Sequence, residues 1–164
     1  MDYKLNIDQR CAVLVDGNNI ERGIKEAFKD KRLMLDFDEL VPRILNDRKL
    51  GNFVYFREGQ NISQKFSDRL IAKFFGVAVP CHKSADIPLT IKACQLASKV
   101  DTIIIFSGDS DYIELVKYLR NEGVRVEIVS VSHCASKELI SLVDNHYYIT
   151  RDDCYYLEKG VKRQ

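Results

Sequence analysis

The apolar residues of this chain fall into short runs, and segments of mixed polarity with helical spacing separate them. Runs rich in β-branched and aromatic residues predict strands over residues 11–15, 53–56, 75–80, 100–106 and 124–129, with 147–149 as a candidate edge strand. Apolar positions three and four residues apart predict helices over residues 20–28, 36–45, 62–74, 87–99, 111–122 and 135–143. Strands and helices therefore alternate along most of the chain.

This alternation is typical of parallel strands that are joined by right-handed helical crossovers. The sequence therefore predicts an α/β fold, a three-layer α/β/α sandwich around a mainly parallel sheet of five or six strands. The common order for five strands is 3-2-1-4-5, which makes strands one and four neighbours where the winding direction reverses. Residues that follow these two strands are expected to meet at one crevice.

The length of 164 residues suits a single domain with its own core. We expect a lead-in over residues 1–10, the domain over 11–150 and a polar tail over 151–164. The tail contains one apolar segment, residues 155–157, which a homodimer could bury. The sequence shows neither a signal peptide nor an apolar run of membrane-spanning length, and five cysteines without C-x-x-C pairs suggest free thiols, so we expect a cytoplasmic protein without a membrane segment.

Aspartates follow several of the predicted strands. Asp16 ends strand one, Asp109 and Asp111 lie in the Ser-Gly-Asp-Ser-Asp segment after strand four, and Asp86 opens the helix after strand three. Each one alone is also a plausible helix cap: Asp86 stands at a predicted helix start, and Asp111 has Glu114 three residues on as in a capping box. Asp109 is more than capping requires.

Taken together, these carboxylates need a counter-charge. Two of them about 4 Å apart repel by roughly 4 kcal/mol at an effective dielectric constant of about 20. Retained protons, a base such as Lys83, or a divalent cation could relieve this repulsion. Oxygen ligands with the neighbours Asn18, Asn19 and Ser107 suit Mg²⁺ or Mn²⁺, the cations that assist phosphodiester hydrolysis.

Substrate contacts must come from a local surface, because 25 basic and 24 acidic residues leave the net charge at +1. Lys65, Arg69 and Lys73 lie at i, i+4 and i+8 on one predicted helix face, and Arg57 follows strand two. They are candidates for phosphate contacts, although such a stripe is also typical of a solvated face. Tyr112 could stack on a base or simply pack in the core.

Other functions fit an acidic crevice as well. A non-catalytic regulatory module could use it to bind a metal, RNA, a nucleotide or a partner protein. A phosphotransfer module also places aspartates around Mg²⁺, but it would want a second Asp two residues after the nucleophile, and Asp16 is followed by Gly17 and Asn18.

The residues 13–19, 83–86 and 107–112 resemble the motifs of the NYN domain, and more closely those of its LabA-like branch, within the PIN-like nuclease superfamily. This resemblance implies an α/β/α sandwich whose acidic residues bind Mg²⁺ or Mn²⁺ and cut RNA. It carries the metal role onto Asp16, Asp86, Asp109 and Asp111, with Asn18 in support. Family members often have Lys-Gly-Val-Asp where this chain has Lys-Ser-Ala-Asp, so the aspartate is kept.

Overall fold

A computed structural model describes residues 9–59 and 61–157 of the chain. Its helices and strands, in chain order, are β1 (Arg10–Asp16), α1 (Gly17–Phe28), β2 (Leu33–Leu35), α2 (Phe37–Leu45), β3 (Lys49–Glu58), α3 (Gln64–Phe74), β4 (Val77–Cys81), α4 (Asp86–Leu96), β5 (Thr102–Phe106), α5 (Ile113–Asn121), β6 (Arg125–Ser130), α6 (Lys137–Leu142), β7 (Asn145–Tyr148) and β8 (Cys154–Tyr156). Short 3₁₀ turns cover Ser110–Tyr112, Ser132–Cys134 and Arg151–Asp153.

The central sheet has six strands in the order β4-β3-β1-β5-β6-β7, and every neighbouring pair is parallel. Its first five strands reproduce the predicted order 3-2-1-4-5, and β7 adds the sixth strand at one edge. Asp16 on β1 is in register with Phe56 on β3, and Val15 is in register with Phe106 on β5. The carboxyl ends of the three central strands therefore lie side by side.

Apolar side chains leave both faces of this sheet. One face packs against α4, α5 and α6, and the other against α1, α2 and α3. All five residues of β5 are buried, as expected for a parallel strand covered on both faces. The fold is thus the predicted three-layer α/β/α sandwich.

A second, two-stranded sheet pairs β2 with β8 in antiparallel fashion. Neither strand was predicted, and β8 lies in the predicted tail, so the aromatic segment that a homodimer could bury contacts its own chain instead. Residues 1–8 of the predicted lead-in and 158–164 of the tail lie outside the described residues. The domain boundaries and the homodimer remain predictions.

Helix starts were predicted with mixed success. Asp36 caps α2, and its side chain accepts a hydrogen bond from the Glu39 N–H at 3.4 Å, as the sequence suggested. The helix predicted over residues 62–74 starts later than expected, because Ser63 is the N-cap, accepting from the Phe66 N–H at 3.2 Å, and the helix begins at Gln64. None of the helices in the described part of the chain is long and apolar enough to cross a membrane.

Candidate metal centre and nucleic-acid interface

Asp16 stands at the end of β1, where it is the N-cap of α1. Its side chain accepts hydrogen bonds from the Asn19 N–H at 3.3 Å and from the Tyr112 hydroxyl at 2.9 Å. The residue is only 5% exposed. Capping therefore uses one oxygen of this carboxylate, and the other is held by a tyrosine that lies 96 residues further along the chain.

Asp86, Asp109 and Asp111 form an acidic trio. One carboxylate oxygen of each lies within 4.8 Å of an oxygen of the other two. Asp86 is the first residue of α4 and does not cap it: the N-cap is Ala85, which makes no side-chain capping bond. The capping interpretation of Asp86 is therefore wrong; its carboxylate lies in the first turn of α4, where negative charge is favourable, and makes no capping bond.

The loop after β5 positions the other two members of the trio. The Ser107 hydroxyl accepts from the Asp109 N–H at 3.2 Å, and Asp109 Oδ1 accepts from the Asp111 N–H at 2.9 Å. Asp109 thus caps the 3₁₀ turn that precedes α5. The predicted capping box of Asp111 with Glu114 does not form, since the N-cap of α5 is Tyr112. Asp111 is exposed and is not used as a cap.

Amide side chains connect the loops around this centre. Asn19 Oδ1 accepts from the Gly108 N–H at 3.3 Å, and Asn18 Oδ1 accepts from the Glu58 N–H at 2.7 Å. Gly108 was not singled out from the sequence, although its lack of a side chain is required. A Cβ there would lie 2.9 Å from the Cα of Ala135.

The pKa values of Asp86 and Asp16 are raised. Burial raises the pKa of Asp86, and the negative charge of Asp109 and a hydrogen bond with Asp111 raise it further. Burial likewise raises the pKa of Asp16; hydrogen bonds from Asn19 and Tyr112 oppose this rise, while the charges of Asp86 and Asp109 add to it. Asp16 is not one of the mutually close trio, but it belongs to the same electrostatic cluster.

No basic side chain neutralises these four aspartates within residues 9–59 and 61–157. Lys83, a candidate counter-charge, is exposed and forms no ion pair there. Oxygens that share one Mg²⁺ at about 2.1 Å lie at most about 4.2 Å apart. Small side-chain rotations would therefore let the trio hold Mg²⁺ or Mn²⁺, and the all-oxygen donor set fits these cations.

The residues that were predicted to contact the substrate lie in different parts of the structure. Arg57, Lys65 and Arg69 line one cavity of about 610 Å³ on the α1–α3 side of the sheet. Lys73 is exposed and does not line it. Tyr112 is fully buried, and burial raises its pKa so that its hydroxyl stays protonated. Its position gives it a role in holding Asp16 rather than in stacking on a base.

Comparison with known proteins agrees with this fold. The family model of the NYN domain matches residues 10–150. The protein LabA (low amplitude and bright) of Synechococcus elongatus is 25% identical to this chain. The alignment is 170 positions long with its gaps, and it covers 92% of this chain and 88% of LabA. A crystal structure of a Vibrio parahaemolyticus protein of unknown function superposes with a TM-score of 0.77 at 22% identity and covers 94% of this chain and 100% of that one. The chain belongs to the NYN domain family and is a LabA-like, PIN-like protein.

Proposed function

We propose that this protein is a ribonuclease that uses Mg²⁺ or Mn²⁺ to hydrolyse RNA phosphodiester bonds. The observation that carries the proposal is the trio Asp86, Asp109 and Asp111, which converges at the carboxyl edge of the sheet without a basic partner among the described residues. Such an arrangement costs stability unless a carboxyl group keeps its proton or a cation binds. Membership of a nuclease-like family supports the reaction class.

The aspartates and their hydrogen-bond partners have different roles in this proposal. Asp86, Asp109 and Asp111 would hold the metal, and Asp16 adds a fourth carboxylate to the cluster. A divalent cation bound there polarises a phosphoryl oxygen and lowers the pKa of a coordinated water. Tyr112 and Asn19 fix the orientation of Asp16.

Polar groups around the trio would position the phosphate. The Oδ1 atom of Asn18 is committed to the Glu58 N–H, so its amide nitrogen is left to donate to a phosphate oxygen. Asn19 and Ser107 act through the backbone of the loop after β5. Lys83 is exposed in the loop before α4 and can approach the substrate from that side.

The test is cleavage of labelled single-stranded and hairpin RNAs in Mn²⁺, Mg²⁺ or EDTA. We expect metal-dependent cleavage by the wild type and a loss of roughly 100-fold or more in Asp109→Asn, because a neutral amide is a poor replacement for a carboxylate ligand. Asp47→Asn is the matched control: Asp47 is exposed in the turn before β3 with φ at 66°, which asparagine adopts readily.

Cleavage that survives in EDTA, or that is equal in Asp109→Asn and the wild type, would contradict the proposal. Metal binding without cleavage of any RNA would favour the non-catalytic regulatory module, which would use the same acidic centre only for binding.

A further inference from the structure

A cavity lies between α3 and the β2–β8 ribbon. Its volume is about 610 Å³, within the range of pockets that hold small organic ligands. The walls come from α1, β2, the end of β3, the start of α3 and residues 155–157. The cavity therefore depends on the docking of β8 against β2.

The lining combines aromatic surface with basic groups. Phe66 contacts Tyr55 edge to face with ring centroids 4.8 Å apart, and the Arg69 guanidinium lies 6.0 Å from the centre of the Tyr155 ring. Tyr156 lines the cavity and remains 44% exposed. Aromatic rings and guanidinium planes are surfaces on which planar heterocycles stack, and a nucleobase is a planar heterocycle.

The basic groups differ in how far they are already paired. Arg69 forms an ion pair with Asp38 at 2.7 Å, and Arg57 lies 3.5 Å from Glu21. Lys65 is exposed at the rim and forms no ion pair with the described residues. Lys65 is thus the cation most available to a phosphate that enters with the base.

The start of α1 connects the cavity to the Asp16 end of the acidic cluster. Arg57 directly follows Phe56, which is in register with Asp16 on the neighbouring strand. Glu21, another lining residue, is three residues after Asn18 on α1, a rise of about 4.5 Å. The cavity and the acidic cluster therefore share the carboxyl end of β1 and the first turn of α1 as neighbours.

Part of the cavity wall lies beyond the family match. The NYN match ends at residue 150, whereas Tyr155, Tyr156 and Leu157 complete the cavity wall. The acidic centre comes wholly from the matched region. The family match therefore covers the acidic centre and does not cover this part of the cavity.

We propose that this cavity binds one unpaired nucleobase and its phosphate, so that the substrate is single-stranded RNA. The inference rests on the proposed function for the class of polymer. A duplex cannot supply such a base without breaking a pair and its stacking, which costs a few kcal/mol. The acidic centre then cuts the same strand a short distance along the backbone.

The test measures binding and cleavage separately. Fluorescence anisotropy with a labelled single-stranded RNA 12-mer and with the blunt-ended duplex of the same 12-mer, in the cleavage-deficient Asp109→Asn background, reports binding alone. We expect Lys65→Glu and Tyr156→Ala each to weaken single-strand binding about tenfold, and the duplex to bind at least tenfold more weakly than the single strand. With active protein, both substitutions should raise KM and leave kcat within about threefold.

Two matched controls separate the cavity from general surface effects. Lys73→Glu makes the same charge change on α3 outside the cavity, and Tyr148→Ala removes a similarly exposed tyrosine from β7. Both should bind within twofold of the parent. Equal losses in Lys65→Glu and Lys73→Glu, or duplex binding as tight as single-strand binding, would overturn the inference.

The outcomes also separate this inference from the proposed function. Lys65-dependent binding of single strands without any cleavage would leave the cavity assigned and remove the nuclease. Cleavage that is indifferent to Lys65→Glu and Tyr156→Ala would keep the nuclease and remove the cavity. A dimer that Tyr156→Ala dissociates, with RNA binding unchanged, would assign the surface to a second copy of the chain and overturn the inference.

Discussion

Two groups of carboxylates with little exposure differ in their partners and in the direction of their pKa shifts. Glu127 on β6 is 4% exposed, and Arg48 donates to its two oxygens at 2.7 and 2.9 Å while Arg125 donates at 3.0 Å. Burial raises the pKa of Glu127, but the hydrogen bonds from these arginines outweigh burial and lower it. Asp16 and Asp86 have no such partner among the described residues, and their pKa is raised.

The fold thus pairs one buried carboxylate with arginines, and it places no arginine or lysine in an ion pair with the carboxylates at the carboxyl edge of the sheet among the described residues. Asp153 repeats the paired pattern, since Arg43 and Tyr147 both contact its side chain. Unpaired charge in a partly buried site is unfavourable in the protein alone. This contrast supports the proposal that the acidic centre binds a cation from solution.

The largest expected effect comes from breaking the paired site. Arg48→Ala leaves Glu127 buried with only Arg125, and we expect the free energy of unfolding to fall by about 3 kcal/mol. Urea denaturation followed by circular dichroism measures this loss. The double variant Arg48→Met/Glu127→Leu should recover a large part of it, because it removes the stranded charge. An Arg48→Ala variant as stable as the wild type would mean that this pair is not structural.

The next effect concerns the tyrosine that holds Asp16. Tyr112→Phe removes the 2.9 Å hydrogen bond without adding volume, and we expect a loss of about 1–2 kcal/mol in stability. Because that bond lowers the pKa of Asp16, its removal raises this pKa. The acid limb of the pH–rate profile should then move to higher pH. Tyr118→Phe, on the exposed side of α5, is the control. A profile that does not move would separate Asp16 from the reaction.

A smaller effect of opposite sign is expected at the unpaired centre. Asp111→Asn relieves repulsion within the trio, and we expect the metal-free protein to gain roughly 0.5 kcal/mol, about 1–2 °C in Tm. Thermal scans in EDTA measure the gain, and scans in Mn²⁺ should show less stabilisation than the wild type receives. If Asp111→Asn lowers Tm in EDTA, repulsion within the trio is not what the substitution removes.

The smallest effect is a pH dependence of the metal-free protein. The raised pKa of Asp86 means that its contribution to stability is present at low pH and is lost as the pH rises through that pKa. Relative to Asp86→Asn, the wild type should therefore gain stability as the pH falls through the raised pKa towards the ordinary value of 3.8. Paired Tm measurements in EDTA across this range check the sign. Parallel curves for the two proteins would contradict it.

Much of the fold could be predicted because buried parallel strands have continuous apolar sequences. β1 and β5 are of this kind, and their neighbourhood placed Asp16 and Asp109 at one edge. The β2–β8 ribbon was missed because three-residue strands have no measurable periodicity and the partners lie more than 100 residues apart. The cavity that depends on this ribbon was invisible for the same reason.

The candidate site was predicted in its composition and not in its contacts. Sequence spacing suggested that Asp86 and Asp111 could cap helices, whereas Ala85 and a 3₁₀ turn occupy those starts. When a helix begins one residue earlier than predicted, the expected cap residue lies inside the helix. Its carboxylate is then not used for capping. The contact between Tyr112 and Asp16 joins residues from different elements, and no local pattern reports it.

The most direct test of the central claim is calorimetric titration of Mn²⁺ into the wild type, Asp109→Asn and the control Asp47→Asn. We expect the wild type and Asp47→Asn to bind Mn²⁺ with the same affinity, and Asp109→Asn to bind at least tenfold more weakly. Equal Mn²⁺ affinity in all three proteins, or no binding to the wild type, would contradict the claim that the acidic centre is built for a divalent cation.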